Sequence, residues 1–551
     1  MDSTAIKGGN LYIITNHRFP QNGYGDEPHL LNWPMLYILE NGKKVYVGES
    51  TNVTERMKQH KANPDKKQFN KVHFIYSEKF NQSVTFDFES KLIQFISADR
   101  KFIITNKNDG IANKDYYLRD DYSDTFEALW NELIDKGLAV DSLEKLKNSE
   151  FYKYSPFKEL NRDQKAQANI ILNQILQGDT TPMVIQGRPG TGKTIVAVYL
   201  MKFLRDYEDP VSHEKLFKDK KMGLIIPQNS LRSTLKKLFK KIDGLASRDV
   251  MGASDAVNAG EWDILFVDEA QKLQCRRAIV GYGEHEKKNK KLNLPKDATE
   301  LDWVLKIAKK GVFFYDPEQL GAPSGIQMEM FNKKICDEIS KRQGKRILKY
   351  AEHFLNLQMR VIGGDEYIKY ARGLLWETVD KKRLFEHYDF KIVDSFDAFN
   401  SMLYEKEDEY KLCRMISGYA WPWKSQKNPG AYDICIDGIN KKWNSKREDW
   451  VNLPNSINEV GCVHSIAGFD LNYAFVILGD DIRFNPGTNR IEADRTHYFD
   501  VRIKQYAKGE ELDMYIKNTY YVLMTRGIKG TYLYVRDAHL KDYLSKFVDI
   551  V

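Results

Sequence analysis

Short apolar runs separated by polar turns dominate the first quarter of the chain. Between about 30 and 120, the runs MLYIL, KVYVG and VHFIY are followed by a helix-like stretch near 86–97. The predicted order is strand, strand, helix, strand, helix. MLYILENGKKVYVG reads as a hairpin, because Asn-Gly suits the left-handed backbone of a tight reversal. Its apolar positions alternate, so a half-buried pair is expected. TNVTERMKQH then reads as a helix with Arg56 and His60 one turn apart on one face. The charged helical stretch FEALWNELIDKGLAVDSLEKLKNSEFYKY reads as a connector. Asn161 opens a further helix, NRDQKAQANIILNQIL, whose Ala166, Ile170, Leu172 and Ile175 are expected to form one apolar face. From there MVIQG, GLIIP, DILFVDEA and GVFFYD alternate with helices, the pattern of a parallel sheet covered on both sides. Beyond about 340 the alternation resumes with CRMIS, YDICI, CVHSI, AFVILG and TYLYVR, which predicts a second sheet. EHEKKNKK at 284–291 reads as a solvated surface loop.

A chain of 551 residues is too long for one core. The pattern divides it into an extension (1–29), a small mixed-sheet domain (30–120), a helical linker (121–155) and two parallel-sheet domains (156–335 and 336–551, the latter with insertions). Hydrophobic residues at 42% and charged residues at 29% suit a globular α/β protein. No apolar run approaches the roughly 18 residues that a membrane span needs, and no secretory signal is visible at the N-terminus. The five cysteines lie far apart without a CxxC pair, which points to reduced thiols in a cytoplasmic protein and argues against zinc. A net charge of +7 permits a phosphate-bearing partner without requiring one.

The strongest chemical signal is GRPGTGKT at 187–194, between a predicted strand and a predicted helix. Gly187, Gly190 and Gly192 let backbone N–H groups turn inward around phosphate oxygens, and the helix N-terminus adds a favourable dipole. Lys193 is expected on the β and γ phosphates of ATP and Thr194 on Mg²⁺. Some 75 residues on, DILFVDEAQ ends a strand in Asp268 and Glu269. Ligands of parallel sheets bind at such ends. Asp268 suits the Mg²⁺ shell and Glu269 the attacking water.

These residues resemble the superfamily 1 helicases, whose further motifs follow in order. FFYDPEQ resembles the third motif, implying that Gln319, with Asp316, senses the γ phosphate. LNLQMR resembles the fourth and NTYYVLMTRGIKGTYLYV the sixth, implying Arg360 and Arg526 as two arginines that stabilise the transferring phosphoryl group. NRDQ resembles the upstream glutamine motif, implying that Gln164 reads adenine. GYAWPW, CVHSIAGFDLNYAFVILGDD and LMTRG look most like the Schlafen-type helicase domain. The fifth motif departs from related motors at Ala467-Gly468, which bears on ATP-coupled strand movement; Asp470 is implied to contact ribose.

In FESKLIQFI, Leu92, Ile93 and Ile96 follow Glu89 by three, four and seven residues, which puts a carboxylate on an apolar helix face. Such a group needs a buried cation or a metal. The run as a whole resembles the GIY-YIG nucleases. Met35-Leu36-Tyr37 stands for the first triplet and Tyr46-Val47-Gly48 for the second, with Arg56, Glu89 and Asn106 at later motif positions. The resemblance implies that Tyr37 activates water, assisted by Tyr46 or His60. It also implies that Arg56 steadies the pentacovalent phosphate and Glu89 holds a divalent cation, Mg²⁺ or Mn²⁺.

The expected fold is α/β: a small mixed-sheet GIY-YIG nuclease domain followed by two RecA-like parallel-sheet P-loop NTPase domains. The expected function is an ATP-dependent nucleic-acid motor with an attached DNA endonuclease, a combination that suits defence against foreign DNA such as phage. The alternatives are an ATP-gated nucleic-acid sensor that does not unwind, and an RNA-cleaving enzyme of Schlafen-like type. Nucleic acid, DNA above RNA, is the expected partner, and no membrane is involved. Oligomers and partner proteins are not readable from the residues.

Overall fold

The computed structural model describes residues 13–21, 23–24, 30–107, 122–446, 448–466 and 468–551. Two compact units emerge. The first comprises Met1–Asn161, Thr194–Asp219 and Thr234–Asp249, and the second Arg162–Lys193, Lys220–Ser233 and Val250–Val551.

In the first unit, β1 (Ile13–Arg18), β2 (Leu31–Glu40), β3 (Lys44–Asn52), β4 (Lys71–Tyr76) and β5 (Ile103–Ile104) form one mixed sheet in the order β1-β4-β2-β3-β5. Helices α1 (Val53–Ala62) and α2 (Gln82–Asp99) complete the predicted order. β1 falls within the extension 1–29 yet pairs antiparallel with β4 along its whole length. The hairpin differs from the half-buried pair that its pattern predicts, because Met35–Glu40 of β2 are buried on both faces. β2 is the central strand: Met35, Tyr37 and Leu39 share a core with Val53 and Met57 of α1, while Leu36 and Ile38 point the other way and are equally buried. Helices α3 (Ser123–Asp135), α4 (Leu143–Lys147) and α5 (Glu150–Lys153) occupy the connector. It is packed rather than loose, since Phe95 of α2 stacks on Tyr152 at 4.7 Å and Gln94 donates to the Phe157 carbonyl at 3.1 Å.

In the second unit, α6 (Arg162–Leu176) precedes β6 (Met183–Gly187); α7 (Lys193–Asp206) follows in sequence and, from Thr194 on, is counted with the first unit. The face that α6 buries is Gln164, Ala168, Ile171, Leu172 and Ile175. Ala166 and Ile170, predicted to belong to it, lie on the exposed side, because buried positions three, four and seven apart leave them off the stripe. β7 (Met222–Ile225) is followed by α8 (Asn229–Phe239), which from Thr234 on is counted with the first unit, and then by β8 (Val250–Met251), β9 (Trp262–Val267), β10 (Ala308–Tyr315) and β11 (His353–Leu355). The sheet runs β11-β6-β10-β9-β7-β8 with every pairing parallel. EHEKKNKK, read as a loop, belongs to a helix, Tyr282–Lys291. His285, Lys288 and Asn289 are buried there, and the Lys288 ammonium donates to the Asn258 side-chain oxygen Oδ1.

The second sheet contains β12 (Asp389–Ile392), β13 (Cys413–Ser417), β14 (Ile434–Ile436), β15 (Ile439–Trp443), β16 (Glu459–Cys462), β17 (Leu471–Leu478), then, past the hairpin β18 (Ile482–Asn485) and β19 (Arg490–Ala493), β20 (Gly527–Val535) and β21 (Asp549–Ile550). Its order is β14-β15-β16-β13-β17-β20-β12-β21, antiparallel only at the β14-β15 edge. CVHSI is predicted as a strand throughout. The strand ends at Cys462, and Val463–Ile466 turn into a short helix. Period-two alternation places Phe475 and Ile477 of β17 against the helix Phe396–Tyr410, and Ala474, Val476 and Leu478 against the helices Gly364–Leu375 and Glu511–Met524. Two RecA-like parallel sheets thus follow the small N-terminal sheet. Among the described residues no helix is long and apolar enough to cross a membrane.

Candidate functional site

In the first unit, β2 and α1 bring Tyr37, Arg56 and His60 to a single hydroxyl. Tyr37 Oη lies 2.7 Å from His60 Nε2, and Arg56 Nε donates to the same oxygen at 3.2 Å. Burial, then the Arg56 and Lys66 cations, pushes His60 down to about 3, so its imidazole is neutral at pH 7. Burial, reinforced by Tyr46, pushes the Tyr37 hydroxyl well above its ordinary value. The phenol therefore keeps its proton, and which of Oη and Nε2 donates follows the tautomer of the neutral imidazole. The Tyr46 ring stands 6.3 Å from Tyr37 and 5.4 Å from His60.

Gly48 lies opposite Tyr37 in the hairpin. A Cβ there would stand 2.2 Å from Tyr37 Cζ and Oη, so the second triplet needs a bare backbone beneath the phenol. Gly48→Ala is expected to cost about 1–3 kcal/mol through overpacking and to displace Tyr37, which a lowered thermal midpoint together with lost cleavage would register. Asn106 pairs with both sides of the neighbouring peptide, accepting from Val47 N at 3.0 Å and donating to Val47 O at 2.8 Å. It braces β3, the strand that carries that triplet.

Glu89 is half-buried on α2, and its charge reaches the Tyr37 hydroxyl. One turn earlier Thr85 donates to Glu49, a second half-buried carboxylate beside Gly48 that burial pushes up. The sequence reading missed Glu49, because one acid after a strand carries no periodic signal. It also missed Lys66, whose buried ammonium lies 3.0 Å over the Tyr46 ring and which burial lowers to about 7. Nothing in NPDKKQF distinguishes that lysine from its neighbours.

In the second unit Lys193 is buried. Its ammonium donates to Gly187 O at 2.6 Å, to Arg188 O at 3.1 Å and to Asp316 Oδ2 at 3.1 Å. Gln319 donates to the same Asp316 oxygen at 2.6 Å. Gln271 joins the two halves of the centre, accepting from Asp316 N at 3.0 Å and donating to Glu269 Oε2 at 2.5 Å. Burial alone would raise Glu269, but the Lys272, Lys193 and Arg526 cations outweigh it and hold the carboxyl well below the usual range. Asp268 is fully buried and accepts from Glu269 N at 3.0 Å. Gln164 donates to Thr191 O at 2.9 Å, so its amide holds the phosphate loop. Gly190, at φ 83°, holds a backbone conformation that strains any L side chain, and a Cβ there would also push aside the Gln358 amide 2.3 Å away. Gly192 also has positive φ, and Thr194 is the second residue of α7.

Arg360 is ion-paired with Asp470 at 2.5 Å. Arg526 is buried and donates to Val522 O at 3.2 Å. A cavity of about 550 Å³ opens beside it, lined by Ser230, Gln271, Gln319, His464 and Asn518 among others. Ala467 lies outside the described residues, so the departure in the fifth motif has no structural account.

Among the described residues no three His, Cys, Asp or Glu side chains gather to hold a metal by themselves. The carboxylates at both centres fit a cation that takes one or two protein oxygens and completes its shell with water and phosphate, as Mg²⁺ does.

Residues 181–537 match the family described as Schlafen group 3, DNA/RNA helicase domain, and residues 10–101 the GIY-YIG catalytic domain. An uncharacterised protein of Saccharomyces cerevisiae is 27% identical over 405 residues, 66% of this chain and 83% of its own length. Among solved structures, Pif1 helicase from Candida albicans aligns over 68% of this chain and 95% of its own at 13% identity, with a TM-score of 0.28. A DEAD box protein from the hyperthermophile Methanococcus jannaschii aligns over 74% and 94% at 12% identity, with a TM-score of 0.27.

Proposed function

Because the chain belongs to the Schlafen group 3 DNA/RNA helicase family and carries a GIY-YIG catalytic domain, we propose that its ATPase moves or licenses a DNA strand that its nuclease cuts. The observation that carries this reading is the convergence of Tyr37, Arg56 and His60, 19 and 23 positions apart in sequence, on one buried hydroxyl. A relay follows from it. An attacking water gives its proton to Tyr37 Oη as Tyr37 passes its own to the neutral His60 Nε2, and the Arg56 guanidinium faces the charge that grows on phosphorus. Glu89 would hold Mg²⁺ at the nuclease, and Asp268 with Thr194 would hold it on ATP, where it supplies Lewis-acid stabilisation of phosphate oxygens. Lys193, Gln319 and Arg526 bind and sense the nucleotide, and Glu269, ionised, orients the water that attacks it. Defence against foreign DNA is the setting we assign to this pairing.

The test is incubation of the full chain with DNA or matched RNA, Mg²⁺ and ATP, omitting each in turn. DNA cleavage that needs Mg²⁺ and responds to ATP is expected; cleavage of RNA alone would replace the substrate. Tyr37→Phe is expected to lower cleavage about 10²–10⁴-fold, the range of a lost proton-transfer group, with ATP turnover unchanged. A second reading, an ATP-gated sensor that binds nucleic acid without unwinding it, is favoured by the Arg360–Asp470 pair. While that pair holds, the guanidinium is committed away from phosphate. Strand-displacement assays with ATP separate the two readings.

A further inference from the structure

Away from the nuclease centre, the first unit contains a trough of about 620 Å³ lined by six cations and two carboxylates. Both carboxylates are committed. Asp99 accepts from the N–H groups of Val140 and Asp141 at 3.0 and 2.8 Å, and Asp141 pairs with Lys145 at 2.5 Å. Of the cations, Lys101 donates to the Gly137 carbonyl and Arg100 lies 4.5 Å over the Phe151 ring. Lys237, Lys240 and Lys241 have no carboxylate partner among the described residues. Lys237 stands in the last turn of α8, Lys240 and Lys241 follow in the turn just after it, and all three line the trough, so they form one unneutralised edge. In the same lining, the Arg100 guanidinium over the Phe151 ring offers a surface on which a base can stack. A compact anion would need neither the length nor the platform.

The geometry points to this trough as a binding site for a single strand of nucleic acid, its phosphodiester backbone along Lys237, Lys240 and Lys241 and a base against Arg100. The assignment rests on reading this unit as a nuclease. It adds where the strand is held: Asp99 and Glu89 are ten residues apart on α2, about 15 Å along the helix axis, so one strand could cross the trough and reach the nuclease centre.

The test is fluorescence anisotropy of a labelled single-stranded DNA oligonucleotide bound to the full chain in EDTA, so that no cleavage occurs, across a salt series. Two triple variants are compared with the wild type: Lys237→Glu, Lys240→Glu, Lys241→Glu, and the same three positions changed to Gln. Both are expected to bind at least about tenfold more weakly, and the slope of log K against log salt should fall by about 2, as for three lost phosphate contacts on a single strand. Basal ATP turnover without nucleic acid should stay at the wild-type rate and serves as the check on folding. Unchanged affinity and slope in both variants would overturn the trough alone. So would a loss confined to the Glu variant, since that is repulsion at a distance. An acidic polypeptide such as polyglutamate that displaces the oligonucleotide at lower charge concentration would reassign the trough to a protein partner. A wild type that binds no oligonucleotide would instead remove the nuclease-motor reading and the trough with it.

Discussion

Lys193→Ala is expected to cut ATP turnover: at saturating ATP the rate should fall by about 10²–10³-fold or more, the cost of removing one preorganised group that stabilises charge in the transition state. Nucleic-acid binding measured in the same preparation is expected to persist. The structure adds a second consequence. Lys193 and Asp316 are a buried pair, 5% and 0% exposed. Truncating the lysine leaves the Asp316 carboxylate with Gln319 but without its counter-ion, a loss on the order of 3–5 kcal/mol. The single variant should therefore melt at a lower temperature than the wild type. Adding Asp316→Asn removes the orphaned charge, so the double variant should recover much of the stability and none of the turnover. Turnover returning together with stability would show that Lys193 acts through the fold and not on phosphate.

Glu89→Gln separates the two chemistries. Cleavage is expected to fall about 10³-fold, the several kcal/mol that a catalytic cation contributes at roughly 1.4 kcal/mol per decade, while ATP turnover stays at the wild-type rate. Residual cleavage should need more Mg²⁺, because an amide is a poorer ligand for a hard cation than a carboxylate. Gln keeps the volume of the half-buried side chain, so the thermal midpoint should move little. Full cleavage with a lowered midpoint would mean that Glu89 is a structural anion on α2.

The legibility of the fold follows the range of the physics. MVIQG, GLIIP, DILFVDEA and GVFFYD are all parallel strands of one sheet, because a strand buried on both faces must be continuously apolar and its neighbours must be reached through helices. The same reasoning misjudged β2, whose alternating look concealed a central strand covered on both sides. It also misjudged Ala166 and Ile170, since several stripes fit one short helix and only the packing partner selects among them. At the candidate sites, spacing brought forward Arg56, His60 and Glu89, and the resemblance to the GIY-YIG nucleases brought forward Tyr37. Spacing was silent on Glu49 and Lys66, which enter by packing.

By itself, the order of residues determined which local structures could form and which side chains are candidates for phosphate chemistry, since periodicity, glycine placement and strand-end carboxylates act over a few residues. Tertiary structure decided what those groups do to one another. Lys193 and Asp316 are 123 residues apart, Arg360 and Asp470 meet as an ion pair, and Lys66 lies on the ring of Tyr46. Charge and burial depend on distance in space, and chain separation does not encode that distance until the sheets have closed.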